Sequence, residues 1–215
     1  MSRQILAFAG SKGSGKTTAF QVLRENFNDV HEAMLAGNLK KSVCEVFGFD
    51  FNRLDDLAYK EDLLDVPVEL TRENLTKVAD YFGVEYDFDT HIRSHVGYVC
   101  ESLRHLLQYI GTEVLRGIDD DIHVKGVLNK LPNDGLVVIT DLRFESEFNY
   151  FYENHKNEFY PFYIKNNAAE LAAENDTHQS ETDLQKFKNK CDLIDNNYTL
   201  QEYQTVVEEK VRRIL

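Results

Sequence analysis

The chain has 215 residues, 42% of them hydrophobic, and a formal net charge of -13 from 24 basic and 37 acidic side chains. That length supports one α/β domain with a sizeable core, and the composition argues against a disordered chain. The acidic balance argues against non-specific grip on a nucleic-acid polymer, while a single nucleotide needs only a few well-placed basic groups.

Gln4 to Ala9 is a short apolar run ending at Gly10, which fits a strand covered on both faces. Thr17 to Asn26 follows with helical spacing, placing Phe20, Leu23 and Phe27 on one side. Val30 to Ala36 reads as a second strand and Leu39 to Phe47 as a helix. Residues 50 to 90 are acidic and rich in Tyr and Phe; short helices are expected here, one of them near Arg72 to Phe82, forming a small mobile lobe over a substrate. The aromatic residues between Tyr81 and Phe88 are read as core in preference to a base-stacking surface. His95 to Leu115 shows a long helical pattern that Gly111 interrupts. Pro132 to Gly135 signals a turn, and Leu136 to Thr140 is the strongest strand in the chain. Glu145 to His155 reads as helix, Phe159 to Lys165 and Leu193 to Asp195 as strands, and Leu200 to Ile214 as a closing amphipathic helix. Strands alternating with helices imply an α/β fold: a parallel five-stranded sheet flanked by helices, in a single domain over residues 1–215 with a helical insertion at about 50–95.

Three cysteines, Cys44, Cys100 and Cys191, are odd in number and widely spaced, with no CxxC pair. They read as reduced, packed thiols, which points to a cytoplasmic protein. No signal stretch precedes the first strand and no 18 apolar residues run together, so no membrane span is expected.

The strongest chemical signal is Gly10 to Thr17, GSKGSGKT, set between a strand and a helix. Gly10, Gly13 and Gly15 allow a tight loop whose backbone N–H groups point at phosphate oxygens, and the helix adds its positive end. Lys12, Ser14 and Thr18 belong to the same nucleotide-holding segment; Lys16 can reach the β- and γ-phosphates of ATP, and Thr17 can ligate Mg2+. Asp141 ends the strongest strand, at the sheet edge where open α/β proteins bind ligands. There it can hold magnesium through water or accept a proton; as a merely structural residue it would be a strand-end carboxylate or a helix cap. Arg143 projects from the same loop, while Arg104 and Gln108, four apart, share a helix face with Arg116 just beyond. Arginine suits phosphoryl transfer because its planar fork holds phosphate oxygens bidentately, although any one of these arginines could equally pair with a neighbouring acid. His178, Ser180 and Glu181 look like a hydrolase triad only on paper, since no nucleophile elbow accompanies them; a polar loop with a helix cap is the plainer reading.

The ordered set of motifs resembles the deoxynucleoside monophosphate kinases of bacteriophages, within the P-loop kinases. It comprises GSKGSGKT, LAGNLKKSV (Leu35 to Val43), LRHLLQYIGTEVLR (Leu103 to Arg116), DLRFESE (Asp141 to Glu147), DTHQSE (Asp176 to Glu181) and CDLIDNNYTLQEY (Cys191 to Tyr203). Two positions depart from the family pattern: Thr17 stands directly after the lysine where many members have Asp, and Ile122-His123-Val124 stands where members often carry Trp. The resemblance implies a kinase-like fold, MgATP as donor and a dNMP as acceptor, with no nucleic-acid polymer, no membrane and a homodimer left open. It places Lys16 on phosphate, Arg104 and Gln108 on the acceptor nucleotide, Lys40 on the acceptor phosphate, and Asp141 and Arg143 beside the phosphates. It puts His178 and Glu181 in a loop near the active site, and the location in the host cytoplasm if a phage encodes the chain. Dephospho-coenzyme A kinase, which shares the P-loop and a similar closing segment, is one alternative, and a nucleotide-binding module without an acceptor is another.

Overall fold

A computed structural model describes residues 2–54, 56–174 and 179–215, apart from the side chains of 179–181. In chain order its elements are β1 (Gln4–Ala9), α1 (Lys16–Asn26), β2 (Val30–Ala33), α2 (Gly37–Phe47), α3 (Leu57–Glu61), β3 (Leu63–Glu69), α4 (Arg72–Asp80), α5 (Phe88–His91), β4 (Val99–Ser102), α6 (Leu103–Tyr109), a π-helical turn (Ile110–Leu115), α7 (Arg116–Ile118), α8 (Ile122–Leu128), β5 (Leu136–Ile139), α9 (Glu145–Asn154), β6 (Phe159–Lys165), α10 (Asn167–Ala173), α11 (Gln179–Phe187), β7 (Asp192–Asp195) and α12 (Leu200–Arg212). They fall into two compact units, one formed by residues 1–34 and 131–215, the other by Leu35–Lys130.

The first unit carries a parallel sheet of five strands in the order β2-β5-β1-β6-β7. The three inner strands, β5, β1 and β6, are mainly apolar because both faces are covered, while the edge strands β2 and β7 are partly polar and exposed. Leu6 and Phe8 of β1 pack with Val138, Phe162 and Ile164 against Ala19, Leu23, Tyr203 and Val207 of α1 and α12. The alternate residues Ile5, Ala7, Val137 and Ile139 are fully buried as well. On their side, α9, β6 and α11 contribute a run of rings in which Phe148 stacks on Phe187 at 4.9 Å and Phe151 on Phe159 at 5.2 Å. The connection from β1 leads to β2, beyond β5, whereas the connection from β5 leads to β6, beyond β1. The neighbours β1 and β5 therefore send their chains in opposite directions, which opens a crevice at their carboxyl ends.

The second unit is mostly helical around a core that includes Leu39, Leu70, Leu75, Phe82, Leu103, Leu106, Ile110 and Val114. Phe82 is 2% exposed and Tyr81, Tyr86 and Phe88 pack against the same core, as expected of core aromatics. Here two sequence expectations are corrected. Within the acidic stretch, Leu63–Glu69 is a strand, paired antiparallel with Val99–Ser102. The second partner lies inside the segment read as one long helix from His95. Its exposure alternates, with Cys100 fully buried and Val99 and Glu101 exposed, which is the period of a strand. Helix begins only after Ser102, whose hydroxyl accepts from His105 N–H at 3.1 Å. From Ile110 to Leu115 the winding loosens to a π-helix. The helices α8 and α10 were absent from the sequence reading.

Candidate active site

The loop after β1 is built for an anion. Gly10, Gly13 and Gly15 have φ of 144, 83 and 109°, in the region side chains avoid. Two of them are also hemmed in: a Cβ on Gly10 would stand 2.6 Å from the Ile164 carbonyl, and one on Gly15 would stand 2.5 Å from Asn196 Nδ2. A Cβ on Gly13 would meet nothing within 4 Å, so that side of the loop is open. Ser14 N–H donates to the Ser11 carbonyl at 3.1 Å and closes the turn. The helix α1 then starts at Lys16, directing its first amides toward the loop. The Lys16 ammonium arches back and donates to the carbonyls of Gly10 at 2.6 Å and Ser11 at 2.9 Å. Lys12, Gly13 and Thr17 are exposed, while Thr18 is half-buried. A cavity of about 540 Å³ opens beside Ser11, lined among others by Asn167, Glu170, Thr182 and Lys188, and its volume is in the range of small-molecule sites.

Asp141 leaves the neighbouring strand at the same edge. In the β1–β5 register Ala7 pairs with Ile139, the last residue of β5, and Asp141 lies two residues beyond it in the loop. The Glu147 carboxylate, 4% exposed, accepts from the N–H groups of Arg143 at 3.1 Å and Phe144 at 3.0 Å. It thereby caps α9 and fixes the loop that carries Asp141 and Arg143. Thr140 donates to Glu32 at the end of β2, at 3.0 Å. Lys16 and Thr17 thus open α1 after the loop that follows β1, and Asp141 and Arg143 lie on the loop that follows the adjacent strand β5. Backbone amides at the start of a helix and an ammonium suit a polyphosphate, and the Thr17 hydroxyl and Asp141 carboxylate are the hard oxygen donors that magnesium takes.

Lys40, Arg104, Gln108 and Arg116 belong to the Leu35–Lys130 unit. Lys40 is half-buried on α2, and Gln108 is exposed on α6. Arg104 Nη2 meets Glu61 Oε1 at 2.7 Å, while Arg104 Nε is buried without an acceptor. Arg116 donates to the Asp120 carbonyl at 3.0 Å. Nearby, Tyr98 and Tyr109 stack at 3.6 Å, and His105 Nε2 lies 3.0 Å from the Tyr98 hydroxyl. His123 is buried and lies 3.1 Å from the Gly111 carbonyl of the π-helical turn through Nε2. Burial, with the Arg116 charge adding to it, pushes its pKa down to about 4, so the ring is neutral at ordinary pH.

His178 and the Glu181 side chain lie outside the described residues, and the expectation of a loop is corrected for Glu181, whose backbone is in the first turn of α11. The sequence reading missed Glu61, Glu147 and His123 as partners of the expected site residues, and Asn196 and Tyr203 as partners of the loop. Glu147 carries only half of a capping-box signature, since Phe144 at the N-cap offers no hydroxyl, so the sequence did not mark it. The others meet their partners across long sequence separations, which no local pattern reports.

No protein-family profile matches this chain. Over 219 aligned residues it is 26% identical to a protein of Acanthamoeba polyphaga mimivirus named "Putative deoxynucleotide monophosphate kinase", spanning 94% of this chain and 93% of that one. Among solved structures, a dephospho-CoA kinase from Campylobacter jejuni is similar at 12% identity and a TM-score of 0.44, over 99% of this chain and 97% of that chain. A protein from Thermus thermophilus is similar at 14% identity and a TM-score of 0.46, over the full length of both. Among the described residues no helix is long and apolar enough to cross a membrane.

Proposed function

We propose that this chain is a deoxynucleoside monophosphate kinase, which moves the γ-phosphate of ATP to a dNMP and yields dNDP and ADP. The observation that carries the reading is the near full-length likeness to a protein of that name, joined to a glycine loop and lysine at the β1–β5 crevice. The coarser statement, that the chain is a P-loop phosphotransferase, rests on the same two findings.

In this reading a phosphate oxygen of the acceptor attacks the γ-phosphorus in line, and the bond to the β-bridging oxygen breaks as the new P–O bond forms. Such a transfer asks for position and positive charge more than for covalent help. The loop amides of Gly10 to Thr18 and the Lys16 ammonium hold the donor phosphates. Lys16 exchanges its carbonyl partners for phosphate oxygens, which attract a cation more strongly. Magnesium held by Thr17, and through water by Asp141, would neutralise the β- and γ-oxygens. Arg143 serves the transferring group from the Asp141 loop. Lys40, Arg104, Gln108 and Arg116 take the acceptor, with arginine on its phosphate and Gln108 on its base; His178 and Glu181 stand in the same proposal near the phosphates. The reaction is assigned to the cytoplasm. Acceptor-stimulated release of ADP, measured with and without the Lys16 side chain, tests the reading.

A further inference from the structure

The outer side of the phosphate loop is held by two residues from the last strand–helix junction. Asn196 Nδ2 donates to the Ser14 carbonyl at 2.7 Å, and the Tyr203 hydroxyl donates to the Gly15 carbonyl at 2.9 Å. Both donors are themselves fixed. Asn196 gives its N–H to the Lys165 carbonyl at 2.8 Å and accepts from Asn166 Nδ2 at 2.8 Å on its own carbonyl. Asn166 in turn caps α10 by accepting from Ala169 N–H at 2.9 Å. Tyr203 is 1% exposed, on the first turns of a helix started by a Thr199–Glu202 capping box. Its ring packs in the core beneath the sheet, and burial raises the pKa of its hydroxyl, which keeps it a donor.

The consequence follows from the planar peptide. In a trans unit the C=O and N–H point in opposite directions. Holding the Ser14 carbonyl outward aims the Gly15 N–H inward, and holding the Gly15 carbonyl outward does the same for the Lys16 N–H. These are the amides at the junction of loop and helix, where an anion is bound. Glycine at position 15 is required twice over. Its φ of 109° is left-handed, and a Cβ there would stand 2.5 Å from Asn196 Nδ2 and 3.1 Å from the Tyr203 hydroxyl. A side chain would drive both donors off their carbonyls.

We infer that Asn196 and Tyr203 are positioning residues that preset the loop amides for a polyphosphate. The inference rests on the nucleotide-binding part of the proposed function and not on the identity of the acceptor. Donors aimed before the ligand arrives need no reorganisation when it binds. The sequence block CDLIDNNYTLQEY thereby acquires a role in phosphate binding, although its residues lie some 180 positions beyond the loop.

The test is isothermal titration of the full chain with ADP and with inorganic tripolyphosphate, a probe that has no base or sugar. Two variants are compared with the wild type, each followed by thermal unfolding. Tyr203→Phe deletes one hydroxyl and keeps the ring. Asn196→Asp keeps the shape but turns an oxygen toward the Ser14 carbonyl. The expected result is a loss of roughly 10-fold in affinity for both probes in each variant, at a melting temperature within a few degrees of wild type. A fall in melting temperature with unchanged affinity would reduce both residues to core packing and overturn the inference. Wild-type protein that binds neither probe would remove the phosphate site itself, and the inference with it.

Discussion

The Oε2 atom of Glu147 lies 3.1 Å from the backbone nitrogen of Arg143, and the same oxygen accepts from Phe144 at 3.0 Å. One buried carboxylate therefore satisfies two amides and fixes the course of the chain just after Asp141. Glu147→Ala would leave both amides without an acceptor, at a cost of about 1–3 kcal/mol. The expected outcome is lower stability in urea denaturation together with a lower kcat, with Glu147→Gln restoring most of the stability because its carbonyl oxygen still accepts. An alanine variant that keeps both stability and kcat would contradict this role.

Lys16 carries the donor side of the mechanism. Lys16→Ala should lower kcat by about 100-fold or more, the scale on which single charge-stabilising donors act. Its ammonium donates to two loop carbonyls of buried residues, so its removal should also lower the melting temperature modestly, by the equivalent of roughly 1–3 kcal/mol. Steady-state ADP release alongside a thermal melt checks both halves.

Arg104 is held by Glu61 through one nitrogen, and its Nε has no acceptor. If this guanidinium takes the acceptor phosphate, Arg104→Lys should raise KM for the acceptor by about 10-fold or more, given roughly 1.5–3 kcal/mol for hydrogen bonds to charged groups. KM for ATP should stay within a few-fold. Glu61→Gln removes a competing, half-exposed carboxylate and should lower acceptor KM by about two- to fivefold. Initial-rate kinetics with each substrate varied in turn separate these effects, and an unchanged acceptor KM in Arg104→Lys would take Arg104 out of the site.

His123 makes stability depend on pH. Its folded-state pKa, about 4, lies below the ordinary 6.5. Between these values the unfolded chain binds a proton that the folded chain does not, so stability falls as pH drops from 6.5 toward 4. The loss reaches roughly 3 kcal/mol at the acid end of that window. Denaturation midpoints across this range should fall less steeply in His123→Gln, which can still donate to the Gly111 carbonyl but does not titrate. Parallel curves for the two proteins would assign the pH dependence elsewhere.

The central strands were legible because Gln4–Ala9, Leu136–Ile139 and Phe159–Lys165 are mainly apolar runs, and they stand where the residues place them, whereas the edge strands β2 and β7 carry His31, Glu32, Asp192 and Asp195 and signal more weakly. The second unit was harder for physical reasons. Leu63–Glu69 alternates Leu64, Val66 and Val68 with Asp65, Pro67 and Glu69, a strand period masked by the proline, the surrounding acids and the exposure of Leu63 and Val66. Val99–Ser102 is only four residues long and abuts a helix, so its alternation is lost in the helical pattern that follows. At the site, the glycine loop is a local motif and reads directly. The Arg104–Glu61 pair and the contacts of Asn196 and Tyr203 with the loop exist only once distant segments pack.

The central claim is tested most directly by ADP release from MgATP in the presence of dGMP, dTMP, dCMP, dAMP, the matching ribonucleotides and dephospho-coenzyme A, one at a time. The account predicts strong stimulation by one or more of the deoxynucleotides, abolished in Lys16→Ala. Stimulation by dephospho-coenzyme A alone, or by none of these acceptors in protein that still binds ATP, would contradict it.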